Sequence, residues 1–132
     1  MQAVNKLMML SILVSNMPRA TEFYVDKLGL KKTIDYRQAD DNWYVTLKLP
    51  DGGAVITLST FRENRDPGTV SLYFETSDIA ATHQELSGKG VAVGEVQDDL
   101  FGPGSGVKFI HLTDPDGNQV LLAQAHKSKA PF

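Results

Sequence analysis

The order of apolar and polar residues divides the chain into short predicted strands and two predicted helices. The longest apolar stretch, residues 7–14, is predicted to form a strand buried on both faces. A helix should follow, because Ser15 and Asn16 offer caps and Pro18 is tolerated in its first turn. Gly29 is expected to end that helix. Three further strands are predicted at residues 30–36, 43–48 and 54–59.

The same order of elements is predicted a second time after a polar segment. Residues 61–69 are predicted to be a linker, since they are polar and contain a Pro-Gly turn. A strand at 70–74 and a helix capped by Ser77 or Asp78 follow. The Pro-Asp-Gly turns that begin at Pro50 and Pro115 are separated in sequence by nearly the same number of residues as the two helix caps. These similar spacings favour an internal duplication. The last three strands are predicted at residues 91–96, 107–112 and 119–123.

Length, charge and cysteine content limit the classes of protein to which this chain can belong. A chain of 132 residues is enough for one domain with its own core. The net charge of −3 predicts no binding to nucleic acid or to an anionic membrane surface. The apolar stretch at 7–14 is too short to cross a bilayer, which takes about 20 residues. The absence of cysteine excludes disulfides and thiol nucleophiles and is compatible with the cytoplasm, where we expect the protein.

Several motifs, in this order, resemble the vicinal oxygen chelate superfamily. They are Phe23-Tyr24 and Leu28-Gly29 in the first helix and the turn Asp114-Pro115-Asp116-Gly117-Asn118 before the last strand. That superfamily includes glyoxalase I, fosfomycin-resistance enzymes, extradiol dioxygenases and bleomycin-resistance proteins. The resemblance implies an α+β fold in which two βαβββ modules form a U-shaped mixed-sheet cavity, and it implies a homodimer. The single domain, 1–132, would comprise module one at about 6–60, the linker at 61–69, module two at about 70–125 and a tail at 126–132.

Catalytic members of that superfamily hold a divalent metal in the cavity. The resemblance places the four ligand positions at Met9, Thr57, Ser71 and Leu121. A thioether, two neutral hydroxyls and an alkyl group do not suit Zn²⁺, Fe²⁺ or Mn²⁺, which take imidazole, carboxylate or thiolate ligands. A shift of one residue brings only apolar side chains to these positions. We therefore predict that no metal binds there and that no cofactor is used.

Strand alternation and the resemblance together give a set of side chains expected to face the cavity. His111 is the candidate acid or base, because imidazole titrates near neutral pH, or else it is a wall residue. Trp43 either stacks on a planar ligand or packs in the core, and Phe101 either closes over the cavity or belongs to a plain loop. Glu75 either holds a cationic group or ends its strand. The predicted ligand-binding residues are Met9, Ser11, Trp43, Thr57, Ser71, Tyr73, Phe101, Phe109, His111 and Leu121.

Three functions are compatible with these residues. We favour a metal-independent protein that binds a small, partly apolar molecule and leaves it unchanged, similar to the bleomycin-resistance branch. The alternative is a lyase, isomerase or dioxygenase that uses a divalent metal, or His111 as acid or base. A third is a dimeric interaction module whose pocket is filled by its own side chains. The loss of all four metal-ligand types favours the first function.

Overall fold

The computed structural model describes residues 3–124 and divides them into two compact units. Unit 1 ends at Gly68 and unit 2 begins at Thr69. Each unit contains a mixed sheet with helix on one face, so the architecture is α+β, as the sequence predicts. The tail predicted at 126–132 lies outside the described residues. Within residues 3–124, no helix is both long enough and apolar enough to cross a membrane.

Unit 1 is a four-stranded sheet with helical turns packed on one face. Across the sheet the strand order is β1-β4-β3-β2, with β1 parallel to β4 and the other neighbours antiparallel. The core lies between the sheet and the helical turns, and contains Ile12, Val45, Leu47 and Leu58 with Met17, Ala20 and Tyr24. Along the chain the elements are β1 (Met9–Leu13), α1 (Met17–Thr21), a π-helix (Glu22–Lys27), β2 (Lys31–Ala39), β3 (Asn42–Lys48) and β4 (Val55–Ser59).

Unit 2 is a three-stranded sheet with one longer helix on one face. The strand order is β5-β7-β6, with β5 parallel to β7 and β6 antiparallel to it. Its core contains Leu72, Ile110, Leu112, Val120 and Leu122 from the sheet and Ile79 and Leu86 from the helix. The elements are β5 (Ser71–Glu75), α2 (Ile79–Gly88), β6 (Lys108–Thr113) and β7 (Gln119–Gln124).

The predicted helix boundaries are confirmed by their caps. The side chain of Asn16 accepts a hydrogen bond from the backbone N–H of Arg19 at 3.1 Å, and Asp78 accepts one from Ala81 at 3.1 Å. Gly29 ends the first helical segment with a φ of +87°, which an L side chain rarely adopts. The change from α1 to a π-helix, which ends before Leu28, is not predicted by the sequence pattern.

Two of the predicted strands need correction. The strand expected at 91–96 is wrong, because within the described residues this segment pairs with β6 only through an isolated bridge between Gln97 and Phe109 and through the Gly94 amide. That amide donates to the His111 carbonyl at 3.0 Å, and a Cβ on Gly94 would lie 3.3 Å from the same oxygen. The segment therefore follows β6 without forming a regular ladder.

The first strand was predicted to be buried on both faces, and this is wrong for its first half. Met9 and Leu10 are 41% and 39% exposed, whereas Ile12 is almost fully buried. The reason is that β1 is an edge strand of the unit 1 sheet, hydrogen-bonded to β4 alone. Apolar residues of an edge strand stay accessible unless another element covers them.

Candidate functional site

The face of the unit 2 sheet that is turned away from α2 carries most of the predicted site residues in this unit. The strand register places Tyr73, Leu121 and His111 in one row across β5, β7 and β6. The next row contains Glu75, Ala123 and Phe109. The alternate positions on the same strands are the ones buried under α2. The sheet of unit 2 therefore presents a mixed aromatic and aliphatic face with a few polar groups.

A pocket of about 490 Å³ lies at the end of this face. Its volume is within the usual range for small-molecule sites. The pocket joins strand residues to a loop, and both Tyr73 and Phe101 remain accessible, at 61% and 49% exposure. It is lined by Tyr73, Phe74, Glu75, Leu100, Phe101 and Ala123. The lining contains three aromatic residues, of which Tyr73 and Phe101 are the more exposed, and one carboxylate.

The loop that supplies Leu100 and Phe101 is held at its base by several hydrogen bonds. The backbone N–H of Leu100 donates to the carbonyl of Val107 at 3.1 Å, and Gly106 N–H donates to the Asp99 carboxylate at 3.0 Å. The Lys108 ammonium lies 2.6 Å from the Asp98 carboxylate. Val107 is fully buried. The loop is therefore tied to the sheet on both sides of its tip, which keeps Leu100 and Phe101 beside the pocket.

His111 lies on this face but is not part of the pocket lining. Its backbone carbonyl accepts from Gly94, and its half-buried imidazole has no hydrogen-bond partner among residues 3–124. Glu75 lies two strands and one row away, which from sheet spacing is about 12 Å between Cα atoms. A direct imidazole–carboxylate pair between His111 and Glu75 is therefore not formed.

In unit 1 the predicted residues Met9, Ser11 and Thr57 share one face of the sheet. Thr57 is buried, and its hydroxyl lies 3.0 Å from the hydroxyl of Thr46. Ser11 is contacted by Arg65, whose guanidinium donates to the Ser11 carbonyl at 3.1 Å and to its hydroxyl at 3.3 Å. Both hydroxyls are therefore already engaged within the unit.

Arg65 is a polar residue of this region that sequence reasoning missed. It also donates to the Phe61 carbonyl at 3.2 Å, and its Nε–H is buried without an acceptor among the described residues. Arg65 and Ser11 are 54 positions apart in sequence, and Arg65 belongs to the segment predicted as a plain linker. No local pattern in the sequence indicates such a contact.

Trp43 lies on the opposite face of the unit 1 sheet from Thr57. Its indole N–H donates to the Asp35 carboxylate at 2.7 Å, and the Arg37 guanidinium lies 4.4 Å from the ring centroid. The hydrogen bond from Trp43, with a smaller contribution from Lys32, holds the pKa of Asp35 below its ordinary value. These contacts within the sheet account for the position of Trp43.

The side chains at the four positions of the superfamily's metal site do not fit a divalent transition ion. In unit 1, Met9 offers a thioether and the Thr57 hydroxyl is paired with Thr46. In unit 2, Ser71 is exposed and Leu121 has no donor atom. Neutral hydroxyls and thioethers bind such ions weakly. Residues 3–124 contain no group of three or more His, Cys, Asp or Glu side chains that could hold an ion.

A second hollow, of about 370 Å³, lies in unit 1 and is more polar. Its lining includes Asp40, Asp41, Thr60 and Arg62. Asp40 is paired with Arg37, and Arg62 donates to Asp66 at 2.8 Å. Because Asp40 and Arg62 already have partners on the surface, this hollow is a weaker candidate than the pocket of unit 2.

The structure thus divides the ten predicted ligand-binding residues into separate groups. Tyr73 and Phe101 line the pocket of unit 2, together with Leu100 and Ala123, which were not in the predicted set. The remaining predicted residues of unit 2 share the sheet face of Tyr73, and they are Ser71, Phe109, His111 and Leu121. Those of unit 1 are Met9, Ser11 and Thr57 on one face and Trp43 on the other.

The sequence and the fold were compared with known proteins. The family model described as Glyoxalase/Bleomycin resistance protein/Dioxygenase superfamily matches residues 6–122. No curated protein matches the sequence. Three solved structures illustrate how far the likeness of fold extends.

The first is TnmS3, an antibiotic binding protein from Streptomyces sp. CB03234, with 24% identity, a TM-score of 0.82, and coverage of 96% of this chain and 100% of that one. The second, from Sphaerobacter thermophilus, is described as a member of the same superfamily, with 25% identity, a TM-score of 0.74, and coverage of 93% and 99%. The third is a virulence protein from Salmonella typhimurium, with 23% identity, a TM-score of 0.73, and coverage of 95% and 100%.

Proposed function

Because the chain belongs to the Glyoxalase/Bleomycin resistance protein/Dioxygenase superfamily, we propose that it binds a small, partly apolar molecule in the pocket of unit 2, without a metal. The observation that carries the proposal is the pocket itself, whose walls include Tyr73, Leu100, Phe101 and Ala123. One protein with a similar fold, TnmS3, is an antibiotic binding protein, so the fold is compatible with a small-molecule site.

The shape of the lining favours a planar ligand. Aromatic rings prefer offset or edge-on contacts with other rings, and Tyr73 and Phe101 each expose enough surface to make them. The Tyr73 hydroxyl adds one polar group that can donate to or accept from an edge of the ligand. Because the loop of Phe101 is tied at Leu100 and Gly106, little order has to be gained on binding.

Metal independence is part of the proposal and is supported by the donor chemistry. Met9, Thr57, Ser71 and Leu121 carry no imidazole, carboxylate or thiolate. Ligand affinity should therefore not change when a chelator is added. Added Zn²⁺, Ni²⁺ or Mn²⁺ should not bind stoichiometrically at these positions.

The experiment uses naphthylmethanol, a neutral planar probe, titrated into the protein in the presence of EDTA and followed by amide NMR shifts. A probe of this size should bind with a Kd of about 0.1–1 mM. The largest shifts are expected at Tyr73, Leu100, Phe101 and Ala123. Failure of the probe to bind, or shifts confined to unit 1, would contradict the proposal.

Two matched variants test the contribution of the aromatic wall. Phe101→Ala removes a ring that lines the pocket, whereas Phe61→Ala removes a ring of similar exposure, 50% against 49%, from unit 1. If the ring of Phe101 covers about 40 Å² of the probe, its removal should weaken binding by about fivefold. The Phe61 variant should bind like the wild type. Equal effects of the two variants would count against this pocket.

The enzyme alternative has less support from the contacts in unit 2. A catalytic imidazole is usually oriented by a second group, and the His111 imidazole has no partner among residues 3–124. The test is turnover of the methylglyoxal–glutathione adduct or of a catechol by the wild type and by His111→Ala. Turnover by the wild type that is lost in the variant would favour the enzyme.

A homodimer in the cytoplasm is the remaining part of the proposal. It is supported by the accessible apolar side chains of β1 and of the residues before it, with Met8 74% and Leu7 65% exposed. Sedimentation velocity over a range of concentrations should give the mass of a dimer. A monomer at every concentration would contradict this part and leave the pocket proposal intact.

A further inference from the structure

Among residues 3–124, Glu75 is the one charged side chain in the lining of the unit 2 pocket. It ends β5 and shares a sheet face with Tyr73 and Ala123, which also line the pocket. The other lining residues are apolar or carry a neutral hydroxyl. The part of the lining that residues 3–124 supply therefore has a formal charge of −1 and contains no basic group.

Several other carboxylates of unit 2 have partners that explain their positions, whereas the exposed Glu95 has none among residues 3–124. Asp78 caps α2, Asp98 pairs with Lys108, and Asp114 accepts hydrogen bonds within its own turn. Glu85 lies 3.6 Å from Lys89 on α2. The Glu75 carboxylate, in contrast, has no hydrogen bond or ion pair within residues 3–124. Neither helix capping nor an ion pair within the described residues therefore explains the position of the Glu75 carboxylate.

The surroundings of Glu75 strengthen its effect on a bound molecule. Glu75 is exposed, so solvent screens part of its charge, but the apolar side chains beside it keep the local dielectric constant below that of bulk water. The faces of Tyr73 and Phe101 also attract a cation. A ligand carboxylate, in contrast, would meet a like charge that no basic lining residue within 3–124 offsets.

We propose that Glu75 makes this pocket selective for planar apolar ligands that carry a protonated amine. The inference rests on the proposed function, because it assigns the charge of the ligand that the unit 2 pocket takes. The ammonium group lies beside the Glu75 carboxylate, and the ring lies between Tyr73 and Phe101.

The experiment compares three probes with the same ring: naphthylmethylamine, which is a cation, naphthylmethanol, which is neutral, and naphthoate, which is an anion. At about 0.01 M salt the cation should bind about three- to fivefold more tightly than the neutral probe, and naphthoate more weakly than both. At about 0.15 M salt the difference should become smaller, because the carboxylate is accessible to ions.

Glu75→Gln keeps the shape of the side chain and removes its charge. In this variant the preference for the cation over the neutral probe should fall to less than about twofold. The matched control is Glu85→Gln, which removes the same charge from α2 on the other face of the sheet and should keep the preference.

The outcomes separate this inference from the proposed function. If naphthylmethanol binds in the pocket but naphthylmethylamine binds no better, or if Glu75→Gln keeps the full preference, the inference is wrong and the proposed function stands. If none of the three probes binds in this pocket, the proposed function fails, and the inference fails with it.

Discussion

Asn118 connects the start of β5 to the turn between β6 and β7, and its replacement should destabilise unit 2. Its side-chain carbonyl accepts from the Val70 amide at 3.0 Å, and its side-chain amide donates to the Asp114 carboxylate at 2.7 Å. Asn118 is 1% exposed, so water cannot readily replace these partners. Asn118→Ala removes both hydrogen bonds and leaves the Val70 N–H and one Asp114 oxygen without this partner.

The magnitude follows from the two bonds. The neutral bond is worth about 0.5–1.5 kcal/mol and the bond to the charged carboxylate about 1.5–3 kcal/mol. We therefore expect the free energy of unfolding to fall by about 2–4 kcal/mol. The control is Gln119→Ala, at the exposed neighbouring position, which should change it by less than about 0.5 kcal/mol.

The assay is urea unfolding followed by far-UV circular dichroism, because the only tryptophan, Trp43, lies in unit 1 and does not report on unit 2. Hydrogen exchange at the Val70 amide gives an independent measure, and its protection should fall in Asn118→Ala. A loss of less than about 1 kcal/mol with an unchanged m-value would refute the reasoning.

Two other predictions concern unit 1. Asp35→Asn keeps an acceptor for Trp43 but removes the charge. Because the pKa of Asp35 is lowered in the folded protein, the wild type should be more stable than the variant above the ordinary Asp pKa of about 3.9, and this difference should vanish as the pH falls through the lowered pKa. Urea unfolding at a series of pH values will show the change. Gly29→Ala should lower the free energy of unfolding by about 1–2 kcal/mol because of the φ of +87° alone, since no atom lies within 4 Å of the added methyl. The control Gly88→Ala, which has an ordinary φ and equally open space, should be neutral or stabilising. Equal effects of the two substitutions would contradict this prediction.

The parts of the fold that the sequence predicts well are set by local physical chemistry. Asn16 and Asp78 carry the side-chain acceptors that a helix N-terminus needs, and each does cap a helix. Gly29 has the positive φ that ends a helix. At the turn of Asp114 and Asn118, which contributed to the family resemblance, the backbone and side-chain amides of Asn118 both donate to Asp114 within a span of five residues.

The parts that the sequence does not predict depend on contacts between distant residues. The 91–96 segment has the composition of a strand, but it makes only isolated bonds to β6 at His111 and Phe109. The accessibility of Met9 follows from the position of β1 at the edge of its sheet. Neither feature is encoded in the alternation of apolar residues along one segment.

The candidate site, like the fold, is predicted only in part by the sequence. Strand alternation correctly groups Tyr73 with Leu121 and His111 on one sheet face. It does not reveal Leu100, because the hydrogen bonds of a loop place that residue, nor Arg65, because its contact with Ser11 spans the whole of unit 1. The chemical class of a side chain could be read from the sequence, but its neighbours could not.

The most direct test of the account is the affinity of naphthylmethylamine for the wild type and Glu75→Gln, measured by calorimetry with EDTA and again with added Zn²⁺. We predict the same affinity with and without the metal, and weaker binding in the variant under both conditions. Binding that requires Zn²⁺, or that is unchanged by both Glu75→Gln and Phe101→Ala, would contradict a metal-independent site in the pocket of unit 2.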